Sequence, residues 1–167
     1  SGNVFVAGQE FRPDIGQNYN IWIRKYDTNG LVQWTTTYNS PANGNDYGRS
    51  IALDTSGNVY VTGTASGDIW VSKYDTNGLV QWTTTYNSPA NSNDEGNGII
   101  VDGSGNVYVP GHEDRPDIGQ GWNIWVRKYD TNGLIVWTTT YNDPANNGDE
   151  GRSIAVDVSG NAYVTGY

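Results

Sequence analysis

The chain has no cysteine, a single histidine, and half as many basic residues as acidic ones. Each shortage removes a class of function. Without Cys there are no disulfides, thiolate nucleophiles or thiolate metal sites. Nine Lys and Arg against 18 Asp and Glu leave a net charge of −9, which makes nucleic acid and anionic membranes poor partners. The charge is scattered through turns and loops, the pattern of solubilising charge rather than of a binding tract. No stretch of ten residues places apolar side chains at a 3.6-residue period, and there is no long apolar run. Neither a helix bundle nor a membrane-spanning helix is therefore expected. No signal peptide is visible, and Ser1 falls inside a repeat, so the reading frame is expected to extend upstream.

What the chain does have is Tyr, Trp, Thr, Asn and Gly. With 12 Tyr, 7 Trp and 22 Gly in 167 residues, it suits pleated strands joined by tight turns and is long enough for one domain with a core. One phrase recurs: "YDTNGLVQWTTTYN" at Tyr26 and Tyr74, and "YDTNGLIVWTTTYN" at Tyr129. A second phrase marks the register, "SGNVFVAG" at Ser1, "SGNVYVTG" at Ser56, "SGNVYVPG" at Ser104 and "SGNAYVTG" at Ser159. The steps between its copies are about 55, 48 and 55 residues, in the range of propeller blades. The longer steps come from inserts, "QEFRPDIGQNYN" (Gln9 to Asn20) and "HEDRPDIGQGWN" (His112 to Asn123), where the middle copy has only "TASGD".

Each full unit carries four strand-like segments. In the middle copy they are Ser50 to Asp54, Asn58 to Gly63, Ile69 to Asp75 and Leu79 to Asn87, all bounded by Gly, Asn, Asp or Ser. Asp54-Thr-Ser-Gly57 and Asp75-Thr-Asn-Gly78 read as hairpin turns, the Asp bonding backbone N–H groups ahead of it and the Gly taking the positive φ. An EF-hand would need Gly at its sixth position and Glu at its twelfth, and these turns have neither. Such a meander is apolar on both faces and must stack on others of its kind. Alternation puts Trp70, Ser72 and Tyr74 on one face and Ile69 with Val71 on the other.

The pattern "GRSIALDTSGNVYVTG…IWVSKYDTNGLVQWTTTYN" resembles the SBBP repeat, a name that abbreviates seven-bladed β-propeller, over essentially the whole chain. The resemblance implies a propeller with the "SIALD" strand nearest the central channel and "VQWTTTY" at the rim. It also implies an extracellular or cell-surface setting in bacteria and no common catalytic site. The inserts are longer than the family's compact form. The expected fold is thus an all-β propeller segment spanning 1–167, with units at about 1–45, 46–93, 94–148 and 149–167. About thirteen strands make about three and a quarter blades, too few to close a ring. Either flanking chain or further copies must supply blades, and a non-closing association would give an open fibre.

Function is expected on the face that collects the inserts and the interblade loops, because loops on a rigid scaffold concentrate binding residues. The candidate binding residues are Phe11, Arg12, Asp14, Tyr19, Tyr47, His112, Arg115, Asp117 and Trp122. Arg12 with Asp14 and Arg115 with Asp117 have a structural alternative, pairing inside their inserts; the aromatic and Arg side chains suit an interface. The six strand Trp, at positions 22, 70, 125, 34, 82 and 137, are assigned to blade packing, with carbohydrate stacking as the rival. Asp46, Asp94 and Asp149 are expected to bond backbone just ahead of each first strand. No catalytic residue, metal or cofactor is assigned. His112 lacks a nucleophile motif, and Asp94 with Glu95 or Asp149 with Glu150 are adjacent loop carboxylates. The expected function is a non-catalytic extracellular scaffold that binds protein or glycan through its loop face or acts as a structural spacer, with a lectin-like propeller and an extracellular hydrolase as alternatives.

Overall fold

Short β-branched and aromatic segments separated by Asp-Gly turns fold as successive antiparallel meanders. The computed structural model describes residues 2–167. Strands β1 (Val4–Phe11), β2 (Tyr19–Tyr26) and β3 (Val32–Tyr38) form a three-stranded sheet. Strands β4 (Asp46–Leu53), β5 (Val59–Ala65), β6 (Asp68–Tyr74) and β7 (Val80–Tyr86) form a complete four-stranded blade. The next blade holds the short pieces β8 (Glu95–Gly96) and β9 (Ile100–Val101), then β10 (Val107–Asp114), β11 (Trp122–Tyr129) and β12 (Ile135–Tyr141). A hairpin of β13 (Gly151–Val156) and β14 (Ala162–Gly166) ends the series. The protein is all-β, and its sheets follow one another around a common inner edge without closing a ring.

The Asp-x-x-Gly turns form as their chemistry dictates. Asp54 Oδ1 accepts the Ser56 and Asn58 backbone N–H groups, both at 2.9 Å, while Oδ2 accepts Asn58 Nδ2 at 2.7 Å and the Tyr60 hydroxyl at 3.1 Å. Asp102 and Asp157 repeat this set. These carboxylates are saturated with donors, which suits a turn rather than a cation ligand.

The core lies between blades. Trp70 and Tyr74 pack with Ile21 and Ile23 of the preceding sheet, while Ile69 and Val71 pack with Val107 and Val109 of the following one. The strand-six alternation is therefore as expected, and every residue of β5 is buried. Two aromatic contacts repeat from blade to blade. Tyr38 lies on Trp70 and Tyr86 on Trp125, with ring centroids at 5.0 and 5.1 Å. At the rim, Trp34 Nε1 donates to the Thr76 carbonyl at 3.1 Å and Trp82 Nε1 to the Thr131 carbonyl at 3.2 Å, each in the next blade's turn.

Towards the inner edge the blades narrow, and glycine makes the approach possible. A Cβ on Gly48 would sit 2.8 Å from the Gly8 carbonyl oxygen, and one on Gly151 would sit 3.1 Å from that of Gly111. Immediately after these glycines the first strands bulge: the pairing slips between Gly48 and Ser50, and again between Gly151 and Ser153. Arg49 and Arg152 are the extra residues, re-aimed by the bulge.

The third blade departs from this pattern, which is why the structure has fourteen strands where about thirteen were expected. Gly96 pairs with Gly111 and Ile100 with Tyr108, leaving Pro110 opposite the gap between β8 and β9. The Pro110 carbonyl accepts the Asn97 and Gly98 N–H groups at 2.9 and 3.3 Å. Proline has no N–H to return, so the ladder is cut there. The second and fourth sheets have Thr62 and Thr165 at this place, paired with Ser50 and Ser153, and the first, which has no first strand, has Ala7.

Candidate functional site

Both long connections emerge at one end of the meanders, and buried carboxylates tie them together. Asp46 accepts the Ser40 and Ser66 backbone N–H groups at 2.6 and 3.0 Å; Asp94 accepts those of Ser88 and Asp114 at 2.5 and 2.9 Å. Asp149 accepts the Asp143 N–H at 2.7 Å. One side chain thus spans the interblade loop and, in the first two cases, the neighbouring connection. Burial raises the Asp94 carboxyl above its ordinary range, against the lowering effect of the two N–H donors. The Asp94 and Asp149 carboxylates are committed to backbone, and Glu95 and Glu150 are each paired with an arginine.

The inserts are rigid by internal bonding. Arg12 Nε and one terminal nitrogen grip the two Asp14 oxygens at 3.0 and 3.1 Å; Arg115 grips Asp117 at 2.9 and 3.0 Å. Each pair ties the N-cap arginine to the middle residue of one turn of 3-10 helix, Pro13–Ile15 or Pro116–Ile118, which ends in a glycine at positive φ. The bonds from Arg12 and Arg115 hold Asp14 and Asp117 below the usual carboxylate range. The first insert is also bound to the loop beside it, since Asn43 Nδ2 donates to the Gly16 carbonyl at 2.9 Å and Asn18 Nδ2 to the Asn43 carbonyl at 3.0 Å.

The candidate aromatics fall into two separate groups. Phe11, Tyr19 and Tyr47 form one continuous ledge, with Phe11 to Tyr19 at 5.0 Å, Tyr19 to Tyr47 at 5.7 Å, and tilts of 35° and 38°. Phe11 and Tyr19 come from opposite ends of the first insert, brought together because β1 and β2 pair Phe11 with Tyr19. Tyr47 comes from the next blade. Phe11 is 54% and Tyr19 38% exposed, so the ledge faces water.

At the second insert, His112 stacks on Trp122 at 4.5 Å and 21°. His112 is 2% exposed, and burial lowers its pKa below the ordinary value, outweighing the raising influence of Glu95 and Glu150. Its Nδ1 has no hydrogen-bond partner. Asp114, standing where the first insert has Phe11, accepts a hydrogen bond from Ser92 Oγ at 2.5 Å. The second insert therefore builds no equivalent ledge.

Between the inner ends of the blades lies a cavity of about 570 Å³ lined by Gln9, Tyr47, Gly48, Arg49, Asn97, Glu150 and Arg152. The sequence-derived set includes only Tyr47 of these. Arg49 reaches across to Glu95 of the next blade at 2.6 Å. In the third blade Asn97 replaces the arginine, and its Nδ2 donates to Glu150 Oε1 at 2.9 Å and to the Gly151 carbonyl at 3.2 Å. Arg152 bonds Glu150 at 3.0 Å and the Tyr167 hydroxyl at 2.8 Å. Copy-to-copy variation among Arg49, Asn97 and Arg152 was the available signal. The bulge that re-aims Arg49 and Arg152 has no signature in a period-two pattern. Among the described residues, no group of three or more His, Asp or Glu side chains is placed to hold a metal ion.

Residues 33–69 and 136–167 match the family model of SBBP, the beta-propeller repeat. These two stretches of the chain are similar to the SBBP repeat. Both matched SBBP stretches run from a fourth strand through the first two strands of the following blade. None of the curated proteins matches the chain. Among solved structures, a luciferin-regenerating enzyme is similar at 17% identity and a TM-score of 0.43, over 98% of this chain and 54% of its own. The chain spans about half the length of that structure.

Proposed function

We propose that this chain is a non-catalytic, extracellular β-propeller module that binds a protein or glycan on its loop-rich face. The observation that carries this is the Phe11–Tyr19–Tyr47 ledge. It occurs once, on a scaffold whose packing residues recur in every blade, and it leaves aromatic faces in water. A binding role is further supported by the condition of the groups a hydrolase would use. His112 is buried against Trp122, Asp94 and Asp149 are bonded to backbone, and Glu95 and Glu150 are paired with arginine. The extracellular setting is what the SBBP family resemblance implies. Protein and glycan arrays probed with the chain and with its Phe11→Ala/Tyr19→Ala variant test the assignment. Signals lost in the variant support the loop face, and signals retained in full remove it.

The same module takes further blades on its two lateral faces. Tyr141, which corresponds to Tyr38 and Tyr86, has no Trp to lie on and is 58% exposed. Gly30, which corresponds to Gly78 and Gly133, has open space where those two hold Trp34 and Trp82. These complementary halves fit either the rest of a longer chain or additional copies. Sedimentation of the chain separates the two. Self-association abolished by Tyr141→Asp indicates copies, and a concentration-independent monomer assigns the faces to flanking blades.

A further inference from the structure

We infer that the aromatic ledge and the inner cavity together form a site for a neutral saccharide. This rests on the loop-face assignment and names its ligand. A pyranose ring lies over Tyr19 and Tyr47 and places its hydroxyls among Gln9, Arg49, Asn97 and Glu150. The two features are one surface, because Tyr47 ends the ledge and lines the cavity, and Gln9 lies two residues before Phe11 on β1.

Three properties select the ligand class. The first is the ledge itself: aromatic faces are the negative part of the ring quadrupole and attract weakly positive C–H groups, such as the axial C–H bonds on one side of a pyranose. The second is charge. The chain carries −9 overall, yet the ionic groups at the inner edge cancel, with Arg49 and Arg152 against Glu95 and Glu150 in contacts of 2.6 and 3.0 Å. An anionic or cationic ligand finds no net opposite charge there. A polyol finds guanidinium and carboxamide donors alternating with carboxylate and carboxamide acceptors, and each of its hydroxyls both donates and accepts. The third is preorganisation. Arg49 is held by Glu95, and Asn97 by Glu150 and the Gly151 carbonyl, so little side-chain freedom remains to be lost on binding. The cavity is a broad depression open to water, with about 570 Å³ of space, room for a pyranose ring.

The test is calorimetric titration of the whole chain with neutral tetrasaccharides, namely β-1,4-linked glucose, N-acetylglucosamine, mannose and xylose and α-1,4-linked glucose, beside a tyrosine- and arginine-containing peptide array. One or more saccharides are expected to bind. Tyr19→Ala, Tyr47→Ala and Asn97→Ala should each weaken that binding about tenfold or more, while Leu79→Ala, at the exposed turn on the opposite end of the second blade, leaves it within about twofold. Tyr47→Phe, which keeps the ring, should retain most of the affinity and guards against misfolding of the Ala variant. Absence of saccharide binding, with peptides still captured through Tyr19, overturns the saccharide site and leaves the loop-face assignment standing. Saccharide binding indifferent to Tyr19, Tyr47 and Asn97 overturns both.

Discussion

Trp34 lies flat enough on the next blade that Gly78 has no room for a side chain: a Cβ there would come within 2.8 Å of Trp34 Cδ2. The Gly78 backbone also sits at φ 81. Gly30, at the same turn position in the first sheet and at φ 80, meets nothing within 4 Å. The pair separates a backbone cost from a packing cost.

Gly30→Ala should therefore lose only the left-handed backbone penalty, about 1–2 kcal/mol. Gly78→Ala should lose that and a further ~1–3 kcal/mol as the indole is pushed off. Urea unfolding of the two variants checks this. Equal losses would mean that the Trp34 contact contributes nothing.

Removing the Asp94 carboxylate should be costly, because the Ser88 and Asp114 N–H groups lose their acceptor inside the protein. Asp94→Ala is expected to destabilise by about 2–6 kcal/mol, from two orphaned donors at roughly 1–3 kcal/mol each. Asp94→Asn keeps one acceptor oxygen and should cost about half as much. Thermal unfolding of both variants, compared at neutral pH, measures the difference.

Pro110→Thr installs the residue that the second and fourth sheets carry at this place, the two others that have a first strand. The new N–H faces the gap between β8 and β9, next to the carbonyl that already accepts Asn97 and Gly98. The variant should gain about 1 kcal/mol. Amide exchange in residues 96–101 should slow as the two pieces join. Unchanged exchange would show that Gly98, rather than the missing donor, breaks the strand.

Burial lowers the His112 pKa below 6.5, the neutral ring being favoured in the folded chain. The unfolded chain then binds the proton more readily, so this contribution to stability is present above pH 6.5 and is lost as pH falls towards the folded value. His112→Gln copies Gln9 of the first insert and should abolish that part of the decline. The urea midpoint of wild type minus variant, followed from pH 8 to pH 4.5, should drop below about pH 6.5. A flat difference would place the ring in water.

The blade was legible because its signals are local. Asp54 and Gly57 mark a turn within four residues, and Trp70 with Val71 reports which face meets which neighbour. The inserts were legible in part: Arg12 with Asp14 and Arg115 with Asp117 are two residues apart and fold each insert, as one of the two expectations held. Phe11, Tyr19 and Tyr47 were picked singly, as positions that differ between copies; strand pairing brings the first two together and packing of the next blade adds the third. The cavity was hidden for a different reason. Arg49 reaches Glu95 because one extra residue re-aims it, and Glu95 lies 46 positions further on in another blade. Neither fact has a period to betray it. Glu113 was missed likewise, though it accepts the Tyr86 hydroxyl from the preceding blade at 2.5 Å.

The rim contact from Trp34 to Thr76 has a direction, and direction matters while the chain is being made. The indole N–H of one blade finds its acceptor 42 residues later, in a turn that has not yet left the ribosome when its own sheet is complete. Each blade therefore waits, unsealed at its outer edge, for its successor's third strand to emerge. During synthesis these rim contacts can close only in chain order, Trp34 on Thr76 before Trp82 on Thr131.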